Sequence, residues 1–279
     1  MDEFEFLRDI TIGQYLPVDS PIHRLDPRAK LLAFVALIVA ATFTGSYLGN
    51  LVLIGVVLGF IALARIPLNY ALAGLRPALP FILVLALFQL FFAPTSTTSS
   101  RVLFSFGFLS VTAAGLQLVV TGIARFVELI LLVSLLTLTT TTTELAHGQE
   151  SLLSPLSWLR LPVHEYTLAM TIALRFVPII AQEAERLMKA QVSRGADFGS
   201  GSRWQFMQQT RRLIPLIVPL FIAALERAEE LAVAMEARGY LGGKGRTHFV
   251  ELAFTVRDAI AVLVVLAFTA LMLVVPFPS

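Results

Sequence analysis

The stretch from Leu31 to Ala64 constrains this chain more than any other. It is apolar almost throughout and is interrupted only by Gly-Ser-Tyr-Leu-Gly-Asn at Gly45 to Asn50. As a single helix it would measure about 50 Å, against a hydrocarbon core of roughly 30 Å. The interruption therefore predicts a tight hairpin of two membrane spans. Further apolar runs predict a third span over about Ala78 to Ala93, a long fourth over about Ala113 to Thr140, and a fifth from Ala259 to Val275. Between the third and fourth, Val-Leu-Phe-Ser-Phe-Gly-Phe-Leu-Ser-Val is too short to span and reads as a segment dipping into the interface.

Composition agrees. Hydrophobic residues make up 57% of the 279 and charged ones 14%, with a mean hydropathy of +0.80. A soluble domain carries about 25% charged residues. The formal net charge of +2 leaves no footprint for nucleic acid, and the absence of cysteine excludes disulfides, thiolate metal sites and cysteine nucleophiles. The N-terminal residues contain no apolar core of a signal peptide.

Five spans make the distribution of Lys and Arg one-sided. Arg8, Arg24, Arg28 and Lys30 precede the first span, Arg65 and Arg76 follow the second, and the large segment before the last span holds most of the rest. The opposite side receives only Arg101, and Arg125 alone lies within a span. The positive-inside rule then places the N-terminus and the large segment in the cytoplasm and the C-terminus outside a plasma membrane. The expected fold is an all-α integral membrane protein with about five transmembrane helices and long amphipathic cytoplasmic helices. Its segments are 1–142 (lead-in and four spans), 143–250 (cytoplasmic) and 251–279 (final span).

Two helices of the cytoplasmic segment are amphipathic. Phe221, Ala224, Leu225, Ala228, Leu231, Ala232 and Met235 recur at helical spacing, with Glu226, Arg227, Glu229, Glu230 and Glu236 around them. The row Ala224, Ala228, Ala232 permits close approach of another helix. Earlier, Val177, Ile180, Ala184, Leu187 and Met188 oppose Gln182, Glu183, Glu185, Arg186 and Lys189. Both helices run into the pattern Ala-x-x-x-Arg-Gly, at Ala190–Gly195 and Ala234–Gly239. Glycine stops a helix by accepting φ > 0. A basic residue in a last turn is ordinary, since it meets the negative end of the macrodipole. Two such tips are less ordinary, because an arginine on a fixed helix end offers a planar fork of donors to a partner.

At this point Ser193-Arg194-Gly195 and Ala237-Arg238-Gly239 resemble the two Ala-Arg-Gly signatures of the EcfT family, the transmembrane components of energy-coupling factor transporters. The lead-in Ser-Pro-Ile-His-Arg-Leu-Asp-Pro-Arg-Ala-Lys-Leu at Ser20–Leu31 and the stretch Leu161 to Gly195 are similar to that family in the same order; Ser193 departs from the usual alanine. The resemblance implies a non-enzymatic scaffold that joins two ATP-binding-cassette ATPases (EcfA and EcfA′-like) to a substrate-binding membrane subunit, the S-component. Crossed coupling helices would dock Arg194 and Arg238 in ATPase grooves. ATP and Mg²⁺ would be bound by the ATPases and no cofactor by this chain. The cargo implied is a vitamin or similar micronutrient; a dedicated cobalt or nickel module and a conventional ABC importer permease are the alternatives.

Other features carry less. Arg125 and Glu128, three apart in the fourth span, are read as a mutually neutralising pair facing protein, or as an S-component contact. Gly-Tyr-Leu-Gly-Gly-Lys-Gly-Arg-Thr at Gly239–Thr247 has the wrong spacing for a phosphate loop. His23, His147, His164 and His248 are scattered and show no metal-ligand spacing. Asp26 and Pro27 are expected to start the first span as N-cap and first residue. Thr143 is expected to cap the helix after the fourth span, and Trp158 to sit at the membrane interface. No converging acids and bases point to a membrane-embedded enzyme.

Overall fold

The computed structural model describes residues 15–92, 102–106, 109–154, 163–195, 206–240, 242 and 254–275. Among these, α1 is Pro27–Phe43, α2 Tyr47–Leu63, α3 Leu68–Ala71, α4 Leu75–Phe92, α5 Ala113–Thr139, α6 Thr142–Leu153, α7 Val163–Ser193, α8 Phe206–Ala237 and α9 Val256–Val274. The protein is an all-α membrane protein with one small addition. β1 (Val102–Phe106) pairs antiparallel with β2 (Leu109–Thr112), Phe106 facing Leu109 in the register. The segment read as an interfacial dip thus forms a hairpin, in keeping with its valines, phenylalanines and leucines.

The chain divides into two compact units, Gly13–Leu152 with Glu251–Ser279 and Met1–Ile12 with Leu153–Val250. The first is the membrane bundle. Each apolar run of the sequence supplies one helix: α1, α2, α4, α5 and α9. Gly115–Thr139 of α5 and all of α9 are long and apolar enough to cross a membrane, whereas α2 and Leu75–Leu90 are shorter apolar helices. Glu165–Ser193 of α7 also meets that standard by length and composition. Its second half, however, carries Glu183, Glu185, Arg186 and Lys189.

Helix α5 is the centre of the bundle; α1, α2 and α4 pack on it, and α9 packs on α1. Leu131 and Leu132 of α5 meet Leu37 of α1, Ile61 of α2 and Val265 of α9 in one core. Outward-facing side chains are just as apolar: Phe43 is 72% exposed and Val274 79%. A large apolar surface of this kind is stable against lipid and costly in water.

Three charged groups at the starts of α1 and α9 are tied to backbone partners. Asp26 caps α1 by accepting from the Arg28 N–H at 2.8 Å, with Pro27 as first residue. Asp258 accepts the Thr255 N–H on one oxygen and the Asp26 N–H on the other, both at 2.8 Å. One buried carboxylate therefore closes the start of α9 and ties it to the start of α1. Lys30 donates to the carbonyls of His23 (3.0 Å) and Thr139 (2.9 Å), which brings in the end of α5.

Two expectations about residues 139–153 change. Thr141, not Thr143, caps α6: its hydroxyl accepts from the Glu144 N–H while Glu144 accepts from the Thr141 N–H. This is a reciprocal capping box, and it needs Glu three places after the threonine. Sequence cannot phase a run of threonines, but the glutamate does. The segment boundary at 142/143 also moves, because α6 belongs to the bundle. Ala146, Gly148 and Glu150 are buried, and a Cβ on Gly148 would lie 3.1 Å from the Pro27 Cβ and the Leu31 side chain. Glycine at 148 lets α6 lie directly on the first turn of α1. Trp158 lies outside the described residues.

Candidate functional site

The second unit is built on α7 and α8, which pack against each other. The side of α8 that is covered is rotated from the apolar stripe of the sequence pattern, sharing Ala224, Leu231 and Met235 with it. On α8 the buried or half-buried side are Leu216, Leu220, Ala223, Ala224, Leu231 and Met235, with Arg227 among them. Phe221 is 63% exposed and Leu225 49%, and Ala228 and Ala232 are exposed too. Of the alanine row, only Ala224 lies on the α7-facing side. Both stripes are apolar enough to pack, so hydrophobic periodicity cannot choose between them. Helix α7 follows expectation more closely. Ile180, Ala184, Leu187 and Met188 are half-buried, while Val177 is exposed.

Charges lock the seam. Glu183 of α7 lies 3.7 Å from Arg186 on its own helix and 3.9 Å from Arg227 on α8. Lys189 bonds Glu185 one turn earlier. These pairs are partly solvated, so each contributes about 0.2–1 kcal/mol and acts mainly to set register.

Both helices then end in the same way. On α8, the Gly239 N–H donates to the Glu236 carbonyl (2.9 Å) and the Tyr240 N–H to the Met235 carbonyl (3.0 Å). This is the Schellman arrangement, with Gly239 at φ +75° and Arg238 as the last residue before it. On α7, the Gly195 N–H donates to the Val192 carbonyl at 2.9 Å, with Gly195 at φ +86° and Arg194 in the corresponding place. Ser193 donates its hydroxyl to the Lys189 carbonyl, so it strengthens the last turn without covering the arginine. Ala237, Arg238 and Gly239 are exposed, as are Ser193, Arg194 and Gly195. Among the described residues neither Arg194 nor Arg238 forms an ion pair, although both helices carry many acids. Backbone closure consumes the last carbonyls and leaves each guanidinium facing outward from a rigid end.

Arg125 and Glu128 behave differently from expectation. Arg125 donates from Nε to the Ala41 carbonyl and from a terminal nitrogen to the Thr44 carbonyl, each at 3.0 Å. It satisfies the C-terminal end of α1 rather than pairing with Glu128. Open carbonyls at a helix end are a better match for a guanidinium fork than a carboxylate on its own helix. Glu128 is fully buried, and neither oxygen has a hydrogen-bond partner among the described residues. His23 is structural: Nε2 donates to the Leu16 carbonyl (3.0 Å), which leaves Nδ1 to accept from the Ser20 hydroxyl (2.7 Å). Most of the glycine-rich stretch after Tyr240, with His248, lies outside the described residues.

Comparison with known proteins gives the family. The family model described as CbiQ, cobalt transport protein, matches residues 19–249, which includes both tips. The chain belongs to the CbiQ/EcfT family. Within it, the energy-coupling factor transporter transmembrane protein EcfT of Bacillus subtilis is 42% identical over 94% of this chain and 96% of its own length. The proteins of the same name from Brevibacillus brevis and Acidaminococcus fermentans are 44% and 43% identical, over 92% and 95% of this chain and 95% and 96% of their own lengths. This EcfT-family chain is accordingly a transmembrane component of an energy-coupling factor transporter, a membrane subunit of a multicomponent machine.

Proposed function

We propose that this chain is the non-catalytic transducer of its transporter, with Arg194 and Arg238 as the two points gripped by cytoplasmic ATPases. The observation that supports this is the pair of matched helix ends: exposed, closed by glycine at positive φ, and free of ion pairs among the described residues. Two similar tips fit two similar ATPase grooves. ATP and Mg²⁺ belong to those subunits. The N-terminus and the α7–α8 unit face the cytoplasm and the C-terminus faces outside, following the charge distribution.

The outward stripe of α8, with Phe221, Leu225, Ala228 and Ala232, is the surface for the S-component. Small residues among large apolar ones allow a membrane helix to approach closely. Cargo is chosen by the S-component, and a vitamin or similar micronutrient is the reading we favour. The family description favours a second reading, a cobalt or nickel module, which a metal-type substrate subunit encoded nearby would establish.

The test is co-purification. A charged hydrogen bond contributes about 1.5–3 kcal/mol, and removing one member of a buried pair costs about 3–5 kcal/mol. The double variant Arg194→Ala/Arg238→Ala should lose both ATPases while keeping its thermal stability in detergent. Normal ATPase recovery and transport by that variant would refute the docking role.

A further inference from the structure

The end of the bundle formed by the starts of α1 and α9 carries an apolar crevice and a basic recess that share a wall. The crevice, about 310 Å³, is lined by Phe34 and Leu37 of α1, Leu63 of α2, Leu135 of α5 and Val265 of α9. That volume lies within the range of small-molecule sites. Its polar lining comes from Lys30 and Thr139, and both are engaged internally. Lys30 bonds the Thr139 carbonyl, and the Thr139 hydroxyl donates to the Leu135 carbonyl at 2.7 Å.

The recess, about 630 Å³, is lined by Arg24, Arg65 and Arg257 together with Asp19 and Asp258. Pro21 and Leu25 line both spaces. Three guanidinium groups against two carboxylates leave a formal excess of one positive charge at the recess. Asp258 is taken up by the N–H groups of Asp26 and Thr255. Asp19 lies 3.3 Å from Arg24, and its backbone carbonyl accepts from Arg65 at 3.4 Å. Arg257 has no ion pair among the described residues.

Arg65 is informative for a second reason. Its N–H donates to the Ala62 carbonyl and the Ile66 N–H to the Ile61 carbonyl, the same helix closure found at Gly239. Here, however, an arginine holds φ +57°, the one positive value outside glycine among the described residues. Glycine would sit there without a Cβ penalty. A disfavoured backbone state kept at a ligand-sized recess marks a side chain retained for what it contacts.

We infer that this end of the bundle holds an anionic phospholipid, with its phosphate among Arg24, Arg65 and Arg257 and one acyl chain in the crevice. Apolar walls below and guanidinium groups above match the two halves of such a lipid. The arginine-rich end of a membrane protein also faces the leaflet richer in anionic headgroups. The site does not depend on ATPase docking.

The full chain in detergent is titrated with phosphatidylglycerol, phosphatidylcholine and soluble glycerol phosphate, and bound molecules are counted by native mass spectrometry. Phosphatidylglycerol should bind at least about fivefold more tightly than phosphatidylcholine, with glycerol phosphate much weaker. Arg65→Gly should weaken phosphatidylglycerol by about fivefold yet raise the melting temperature, a combination that a purely structural arginine would not give. Ala33→Leu, which narrows the crevice, should weaken phosphatidylglycerol with all three arginines in place. Equal binding of the two lipids, or wild-type phosphatidylglycerol binding by Arg65→Gly, overturns the proposal. So does glycerol phosphate binding as tightly as the lipid, since the recess would then serve a soluble phosphate and the crevice nothing.

Discussion

Asp258 and Arg238 both stand at helix ends, one in each compact unit, and they are used in opposite ways. Asp258 is 3% exposed and both of its oxygens accept backbone N–H groups, one of them from a residue 232 positions away. Arg238 ends a helix whose backbone is already closed by Gly239 and Tyr240, and its side chain is exposed. At Asp258, as at Lys30, the bundle turns a charged group inward onto backbone partners, because lipid offers it nothing. The α7–α8 unit directs its strongest donors outward, where another protein can meet them.

The largest effect expected from breaking this contrast is at Asp258. Asp258→Ala leaves the buried Asp26 N–H and the part-buried Thr255 N–H without their acceptor and should destabilise the bundle by about 2–4 kcal/mol, read as a lower melting temperature in detergent. Asp258→Asn keeps one acceptor and should lose less. Next comes Gly148→Val. Its Cβ would crowd Pro27 and Leu31, and overpacking of this kind costs about 1–3 kcal/mol in the same measurement.

Gly239→Ala sharpens the comparison. Nothing lies within 4 Å of the added Cβ, so the penalty is the backbone at φ +75° alone, about 1–2 kcal/mol. Unwinding the last turn relieves it locally. The melting temperature should hold, while ATPase affinity falls by about tenfold because Arg238 loses its platform. A drop in melting temperature with unchanged ATPase binding would reverse the assignment.

The smallest effect concerns pH. Burial, helped by nearby Lys30, holds the His23 pKa below its ordinary value. The unfolded chain therefore binds more protons between the folded value and about 6.5. Stability from this group is complete above that range and declines as pH falls through it. His23→Gln should flatten the acid side of the melting curve; an unchanged pH profile would remove His23 from the bundle's stability.

Much of the architecture was readable from the chain. Apolar runs became helices because in lipid every backbone group must be bonded within its own segment, so span length is a local property. Asp26-Pro27 started α1 as expected, and each Arg-Gly stopped a helix, because caps and positive φ depend on adjacent residues. What was not readable involved a choice among equivalents. Arg125 had Glu128 within reach but bonded the end of α1, which becomes available only when two helices pack. Thr141 prevailed over Thr143 through Glu144.

Sequence alone thus determined the spans, the helix stops and the two arginine tips, since each rests on covalent neighbours and a period. Tertiary structure decided which stripe of α8 meets α7, and it brought Asp258 to Asp26 and three arginines to one recess. Those outcomes depend on rotation about helix axes and on residues far apart in the chain. Many rotations bury equal apolar area, and only the partner helix distinguishes them.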